Sequence, residues 1–120
     1  FGDFDGDGRV DVAVSALAAP AEIWLNRSPA AGHWLAFELE GVKSNRDGIG
    51  TRIRITGASG LTQYNHVTTC FGYASSSDKR VHFGLGSDKH VREIELRWPS
   101  GKRQLLKNVA ANQVLRIREQ

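Results

Sequence analysis

Apolar and polar residues alternate with a period of two through most of this chain, and that pattern constrains its fold more than any other feature. From His33 to Glu40, Leu35, Phe37 and Leu39 share one side while Glu38 and Glu40 take the other. Ile53 and Ile55 oppose Arg52 and Arg54 within Thr51 to Thr56, and Val81, Phe83 and Leu85 oppose His82 within Arg80 to Leu85. Ile94, Leu96 and Trp98 oppose Glu93, Glu95 and Arg97, and near the end Leu115 and Ile117 oppose Arg116 and Arg118. A residue that recurs every second position returns to the same face of a strand, so each segment reads as a half-buried antiparallel strand. No segment between them carries a helical stripe. Gly57-Ala58-Ser59-Gly60 and Pro99-Ser100-Gly101 supply the hairpin turns, Gly by positive φ and Pro by its fixed φ. Short strands at this spacing predict an all-β fold, an antiparallel β-sandwich or partly open barrel.

The 120 residues suffice for one modest core, burying about two thirds of the surface the unfolded chain would expose. No apolar run approaches the roughly 20 residues of a membrane-spanning helix. Cys70 is the single cysteine, which excludes an internal disulfide and a multi-cysteine zinc site. Its place in Val67-Thr68-Thr69-Cys70-Phe71 predicts a small core residue. The net charge of +3, read along the chain as single cations spread over strands, aids solubility and weakly favours acidic partners; it is no nucleic-acid signature.

Ahead of the strands stands a different chemistry. In Asp3-Phe4-Asp5-Gly6-Asp7-Gly8-Arg9-Val10-Asp11, carboxylates occupy positions 1, 3, 5 and 9 of a loop. Carboxylates so close repel one another unless a hard cation sits among them, and calcium takes six to eight oxygens at roughly 2.3 to 2.6 Å. Asp3, Asp5, Asp7 and Asp11 are the candidate side-chain ligands. Arg9 at position 7 would contribute its backbone carbonyl, and Gly8 would supply the left-handed turn. An EF-hand would need Glu at position 12, where Val14 stands. Val10, Val12 and Val14 instead continue as a strand to Leu17, with Ala18 to Pro20 as a turn and Ala21 to Asn26 as a second strand. That is half of a four-stranded propeller blade. Asn26 to Gly32 is rich in breakers and marks the expected boundary between residues 1–28 and a β domain over 32–120. The chain lacks Met and starts inside a motif, as a piece of a longer protein would.

Phe1-Gly2-Asp3-Phe4-Asp5-Gly6-Asp7-Gly8 resembles the FG-GAP or VCBS repeat of integrin-like β-propellers, whose blades carry calcium in such loops. Five later segments together resemble the ASPIC/UnbV family: Gly32-His33-Trp34-Leu35, Lys43-Ser44-Asn45-Arg46-Asp47-Gly48-Ile49-Gly50, Arg80-Val81-His82-Phe83-Gly84-Leu85-Gly86, Arg97-Trp98-Pro99-Ser100-Gly101-Lys102 and Asn108-Val109-Ala110-Ala111-Asn112-Gln113. The resemblance implies an extracellular, periplasmic or cell-surface setting, calcium in the neighbouring repeats, and binding or adhesion without catalytic residues.

Other candidate residues are weighed by their chemistry. Arg46 and Asp47 could clamp a ligand, since Arg presents a planar fork to carboxylates or sulfates; the commoner use of Asn45-Arg46-Asp47-Gly48 is a tight turn. Trp34 and Tyr73 are candidates for stacking on a sugar, which makes a carbohydrate-binding module the second reading, with Trp98 assigned to the core. Asp78 closes the loop Ser75 to Asp78, where a hydrolase would have to place its nucleophile, but no strand-turn-helix elbow surrounds those serines. His33, His66, His82 and His90 lack the spacing of zinc ligands. The resulting expectation is a non-enzymatic module with structural calcium, a protein or glycan partner, no nucleic acid, and exposed strand edges through which a dimer could form.

Overall fold

The computed structural model describes residues 1–29 and 32–120; of the expected linker, Ala30 and Ala31 lie outside the described residues. Among the described residues there are nine strands and no helix, arranged in three sheets that do not close into a barrel. β1 (Val12–Ala16) and β2 (Ala19–Trp24) form an antiparallel hairpin. The remaining strands are β3 (His33–Glu40), β4 (Arg52–Gly57), β5 (Thr62–His66), β6 (Val81–Gly86), β7 (His90–Arg97), β8 (Arg103–Ala110) and β9 (Gln113–Arg118). They make a sandwich of a three-stranded sheet, β6-β3-β9, and a four-stranded sheet, β5-β4-β7-β8.

The alternation works as its period requires. Leu35, Phe37, Val81 and Phe83 from one sheet meet Ile53, Ile55, Val91, Ile94 and Leu96 from the other, all buried, and Trp98 joins them at 3% exposure. Phe37 and Phe83 meet edge to face, their ring centroids 5.6 Å apart. Each fully buried side chain of this size contributes about 1.5–3 kcal/mol by leaving water. Pairing is antiparallel except between β3 and β9, which run parallel with Leu35 opposite Gln113 and Glu40 opposite Arg118. The first and last strands of the sandwich therefore lie side by side, which ties its two ends together.

Several expectations need correction. The N-terminal turn is Leu17-Ala18, with Ala18 at φ 58°, and Pro20 lies within β2. A proline lacking an N–H is tolerated there because both strands of a two-stranded hairpin are edges. β5 and β8 were not anticipated: β5 is polar, and β8 presents Leu105-Leu106 side by side, which blurs the alternation. Cys70 is exposed. The strand before it ends at His66, only Val67 turns inward, and Cys70 makes an isolated bridge to Ser76.

The face of the three-stranded sheet turned away from the core carries Trp34, Ala36 and His82. The aspartate loop rests on it. Ala36 is buried although it points away from Leu35 and Phe37, because the N-terminal segment covers it.

Candidate metal centre

The aspartate loop closes on itself at its base. Gly2 and Asp11 pair as an antiparallel bridge, with the Asp11 N–H donating to the Gly2 carbonyl at 2.7 Å. Inside that bridge the peptide N–H groups turn inward toward carboxylates. Asp3 accepts from the N–H groups of Gly6 at 2.8 Å, Asp7 at 3.2 Å and Gly8 at 2.9 Å. Asp11 is 1% exposed and accepts from the Phe4 and Asn26 N–H groups, each at 2.8 Å. Two glycines make the winding possible: Gly6 and Gly8 have φ of 76° and 85°, a region costly for residues bearing a Cβ.

Carboxylate oxygens of Asp3, Asp5 and Asp11 lie within 4.8 Å of one another. Two ligands on opposite sides of a calcium ion are separated by about the same distance, so one ion can reach all three. The donor set is all oxygen and triply negative, which fits a hard cation. Asp7 is held apart from this trio. It accepts from the Arg9 N–H at 2.8 Å and from the Arg9 guanidinium at 2.5 Å, and Arg27 reaches it at 3.0 Å. The Arg9 backbone hydrogen bond is the main reason its carboxyl stays below the usual range, against the opposing effect of burial. Arg27 also bonds Asp5 at 2.7 Å, so one guanidinium spans the mouth of the loop. The Arg9 side chain further donates to the Asn26 carbonyl at 2.9 Å and ties the loop to the end of β2.

The loop is seated on the sandwich by contacts that begin at Gly8. Its carbonyl accepts from His82 Nε2 at 2.7 Å, which fixes the proton on that nitrogen. His82 in turn stacks on Trp34, with centroids 5.7 Å apart and planes 11° from parallel. A Cβ on Gly8 would lie 1.9 Å from Trp34 Nε1, so only glycine lets the loop approach the indole. At the other end, the Phe1 carbonyl accepts from the Asp78 N–H at 2.8 Å and the Asp3 carbonyl accepts from Arg80 at 3.1 Å. Arg80 is aimed by Asp78, whose carboxylate accepts from its Nε at 2.6 Å. Burial alone would raise the Asp78 pKa, and the Arg80 guanidinium and N–H outweigh it to lower it. Between loop and sheet remains a cleft of about 230 Å³ whose lining includes Asp3, Ala36, His66, Arg80 and His82.

The residues singled out as ligand binders are dispersed. Trp34 is half-buried and engaged with Gly8 and His82, while Tyr73 is 99% exposed on a loop and shares no ring contact with it. Asp47 pairs with Lys79 at 2.6 Å and lines a shallow groove that Asp78 also lines. Arg46 is exposed. The loop around it is organised instead by Glu119, which is 3% exposed. That carboxylate accepts from the N–H groups of Val42, Lys43 and Ser44 at 2.7 to 2.8 Å and from the hydroxyls of Ser44 and Ser100. Burial acts to raise its pKa, but the hydrogen bonds from Ser100, Ser44 and Val42 prevail and hold it at about 2, against an ordinary 4.5. Arg27, Arg80, His82 and Glu119 were not foreseen in these roles, because each joins segments distant in the chain.

A profile of the ASPIC and UnbV family matches residues 41–120. Among curated proteins, cartilage acidic protein 1 of Homo sapiens is 29% identical over 123 residues, covering 98% of this chain and 18% of the relative. Its counterpart in Mus musculus is 28% identical over the same coverage. That of Xenopus tropicalis is 26% identical over 103 residues, 83% of this chain and 16% of the relative. The chain thus spans less than a fifth of the length of these relatives. The profile match takes in six of the sandwich's seven strands, β4 to β9, together with the loop that Glu119 organises, and this chain belongs to the ASPIC and UnbV family.

Proposed function

We propose that this chain is a non-enzymatic binding or adhesion module of an extracellular, periplasmic or cell-surface protein, braced by structural calcium. The observation that carries the proposal is the convergence of Asp3, Asp5 and Asp11 oxygens within 4.8 Å in a loop whose next glycine is seated on the sandwich by His82 and Trp34. Calcium bound there would offset two of the three negative charges and hold the loop wound. The similarity to cartilage acidic protein 1 supports an extracellular setting.

Residues 1–28 are read as the end of an FG-GAP or VCBS-type repeat, followed by the ASPIC/UnbV sandwich over 32–120. Support comes from β2, which is exposed along its whole length, and from β1, exposed beyond Val12. A two-stranded sheet uncovered on both faces is marginal alone, and its free edges suit pairing with further strands of a blade or with a second copy. No helix among the described residues is long and apolar enough to cross a membrane. Against a hydrolase, the Ser75 hydroxyl donates to the Tyr73 carbonyl and Asp78 is committed to Arg80, and no serine among the described residues is hydrogen-bonded to a histidine.

The test of the metal reading is isothermal calorimetry of the chain with calcium, alongside the Asp3→Asn and Asp11→Asn variants. Saturable heat in the parent that both substitutions remove is the expected result. Absence of heat at several millimolar calcium would overturn it.

A further inference from the structure

We propose that the outer face of the four-stranded sheet is a docking surface for a sulfated polysaccharide. Strand pairing places Arg52 directly opposite Arg97, and Arg97 directly opposite Arg103, so three guanidinium groups stand in one row across β4, β7 and β8. His66 extends the row onto β5. Like charges directly opposite each other destabilise a sheet, and in this row the shared carboxylate of Glu95 offsets that cost only for Arg97 and Arg103.

One carboxylate orients Arg97 and Arg103 of the row and Arg54 beside it. Glu95, only 6% exposed, accepts from Arg97 at 2.7 Å and Arg103 at 2.7 Å on one oxygen and is 2.8 Å from Arg54 on the other. It holds three planar forks at fixed angles while neutralising a single charge. Each guanidinium carries five N–H donors, so most of them stay available to solvent or a ligand. The side chains of Arg97 and Arg103 are 58% and 61% exposed, and Arg52 has no carboxylate partner among the described residues. Counting Lys107, which faces Glu93 across the same sheet, five cations oppose two carboxylates. That excess equals the formal +3 of the whole chain. An open groove of about 600 Å³ runs along β4 and β5 between Arg52, Arg54, Arg97 and Tyr64.

The chemistry of this face selects among polyanions. Adjacent strands are about 4.8 Å apart, close to the advance of one hexose in an extended polysaccharide, so successive sulfated sugars reach successive arginines. The planar arginine fork can donate two parallel N–H bonds to two oxygens of one tetrahedral sulfate group, as it does to other oxyanions. Tyr64, 74% exposed beside Arg54, offers one ring for a sugar to lie on. A nucleic-acid single strand would want a series of stacking rings, and Tyr64 is the one aromatic side chain on this face among the described residues. The inference deepens the binding-module reading by giving it a surface and a ligand class, and it does not depend on calcium.

The probe is a heparin oligosaccharide titrated into the full chain, with size-matched desulfated heparin and a 20-nucleotide DNA single strand as comparators, each in calcium and in chelator. Binding that requires sulfate is expected, weakened at least about tenfold by R52A/R103A, with the salt dependence lowered by roughly one unit of slope per arginine removed. R116A/R118A, which removes as much charge from the other sheet, should change affinity less than twofold; the single variant R52A, at a residue with no ion pair to lose, should retain the fold and still weaken binding. Equal loss in both double variants, equal binding of desulfated heparin, tighter binding of the DNA strand, or no binding by the parent would each overturn the proposal. Binding that persists in chelator keeps it separate from the calcium reading, whose own failure would appear in calorimetry and in thermal melts with calcium.

Discussion

Gly8 is where two requirements meet in one residue. Its φ of 85° winds the aspartate loop, and its missing side chain lets that loop touch Trp34. Gly8→Ala should therefore destabilise by more than about 1 kcal/mol, from backbone strain and the displaced indole together; chemical denaturation followed by Trp fluorescence would measure it. Gly6 shares the positive φ but has open space around it, so Gly6→Ala should cost less. At the opposite pole of the molecule, Glu119 makes stability depend on pH. Its folded pKa is about 2, below its ordinary 4.5, so its contribution is complete above pH 4.5 and is lost as pH falls from there through 2. Glu119→Gln should be less stable than the parent at neutral pH, and the gap between them should narrow across that window in acid-unfolding curves. A gap of constant size would refute the assignment.

At the level of elements, the hairpin and the sandwich are joined by a short set of polar contacts rather than by a shared core. His82 and Arg80 supply the central ones, to the carbonyls of Gly8 and Asp3. Replacing His82 with Ala should speed hydrogen exchange throughout residues 1–26 while leaving the amides of β4 and β7 protected, because those strands draw on the sandwich core. Uniform acceleration would mean that the two parts unfold as one unit. The inward faces of β3, β4, β6, β7 and β9 were legible from alternation alone, because a strand with one dry face must write its period into the sequence. β5 and β8 were not. β5 turns Gln63 and Asn65 toward the carbonyls of Gly84 and His82 on β6, so its inward positions are polar and hide the pattern. The ladder Asp3, Asp5, Asp11 was legible because the residues that converge are near in sequence; the hold of the Arg9 N–H and guanidinium on Asp7, joined by Arg27 from the end of the hairpin, was not.

Across the whole molecule, charge is arranged by topology and not by composition. Arg52, Arg97 and Arg103 read as isolated cations along the chain, yet strand order brings them into one row. The parallel pairing of β3 with β9 has a similar effect at the ends, joining Glu38 to Arg116 at 3.2 Å across 78 residues. Both the cationic face and the loop-bearing face are thus products of the completed sandwich. The loop-bearing face is where a metal would act on the stability of the whole. At a free calcium concentration ten times the dissociation constant, binding to the folded form alone adds about 1.4 kcal/mol, or roughly 4 °C in a domain of this size. The most direct measurement is the thermal midpoint of the chain in about 5 mM calcium, above the range of weak extracellular sites, and in chelator, repeated with Asp11→Asn. Calcium should raise the parent midpoint and leave that of the variant where chelator puts it; a parent midpoint that is the same in both would contradict a calcium-braced loop.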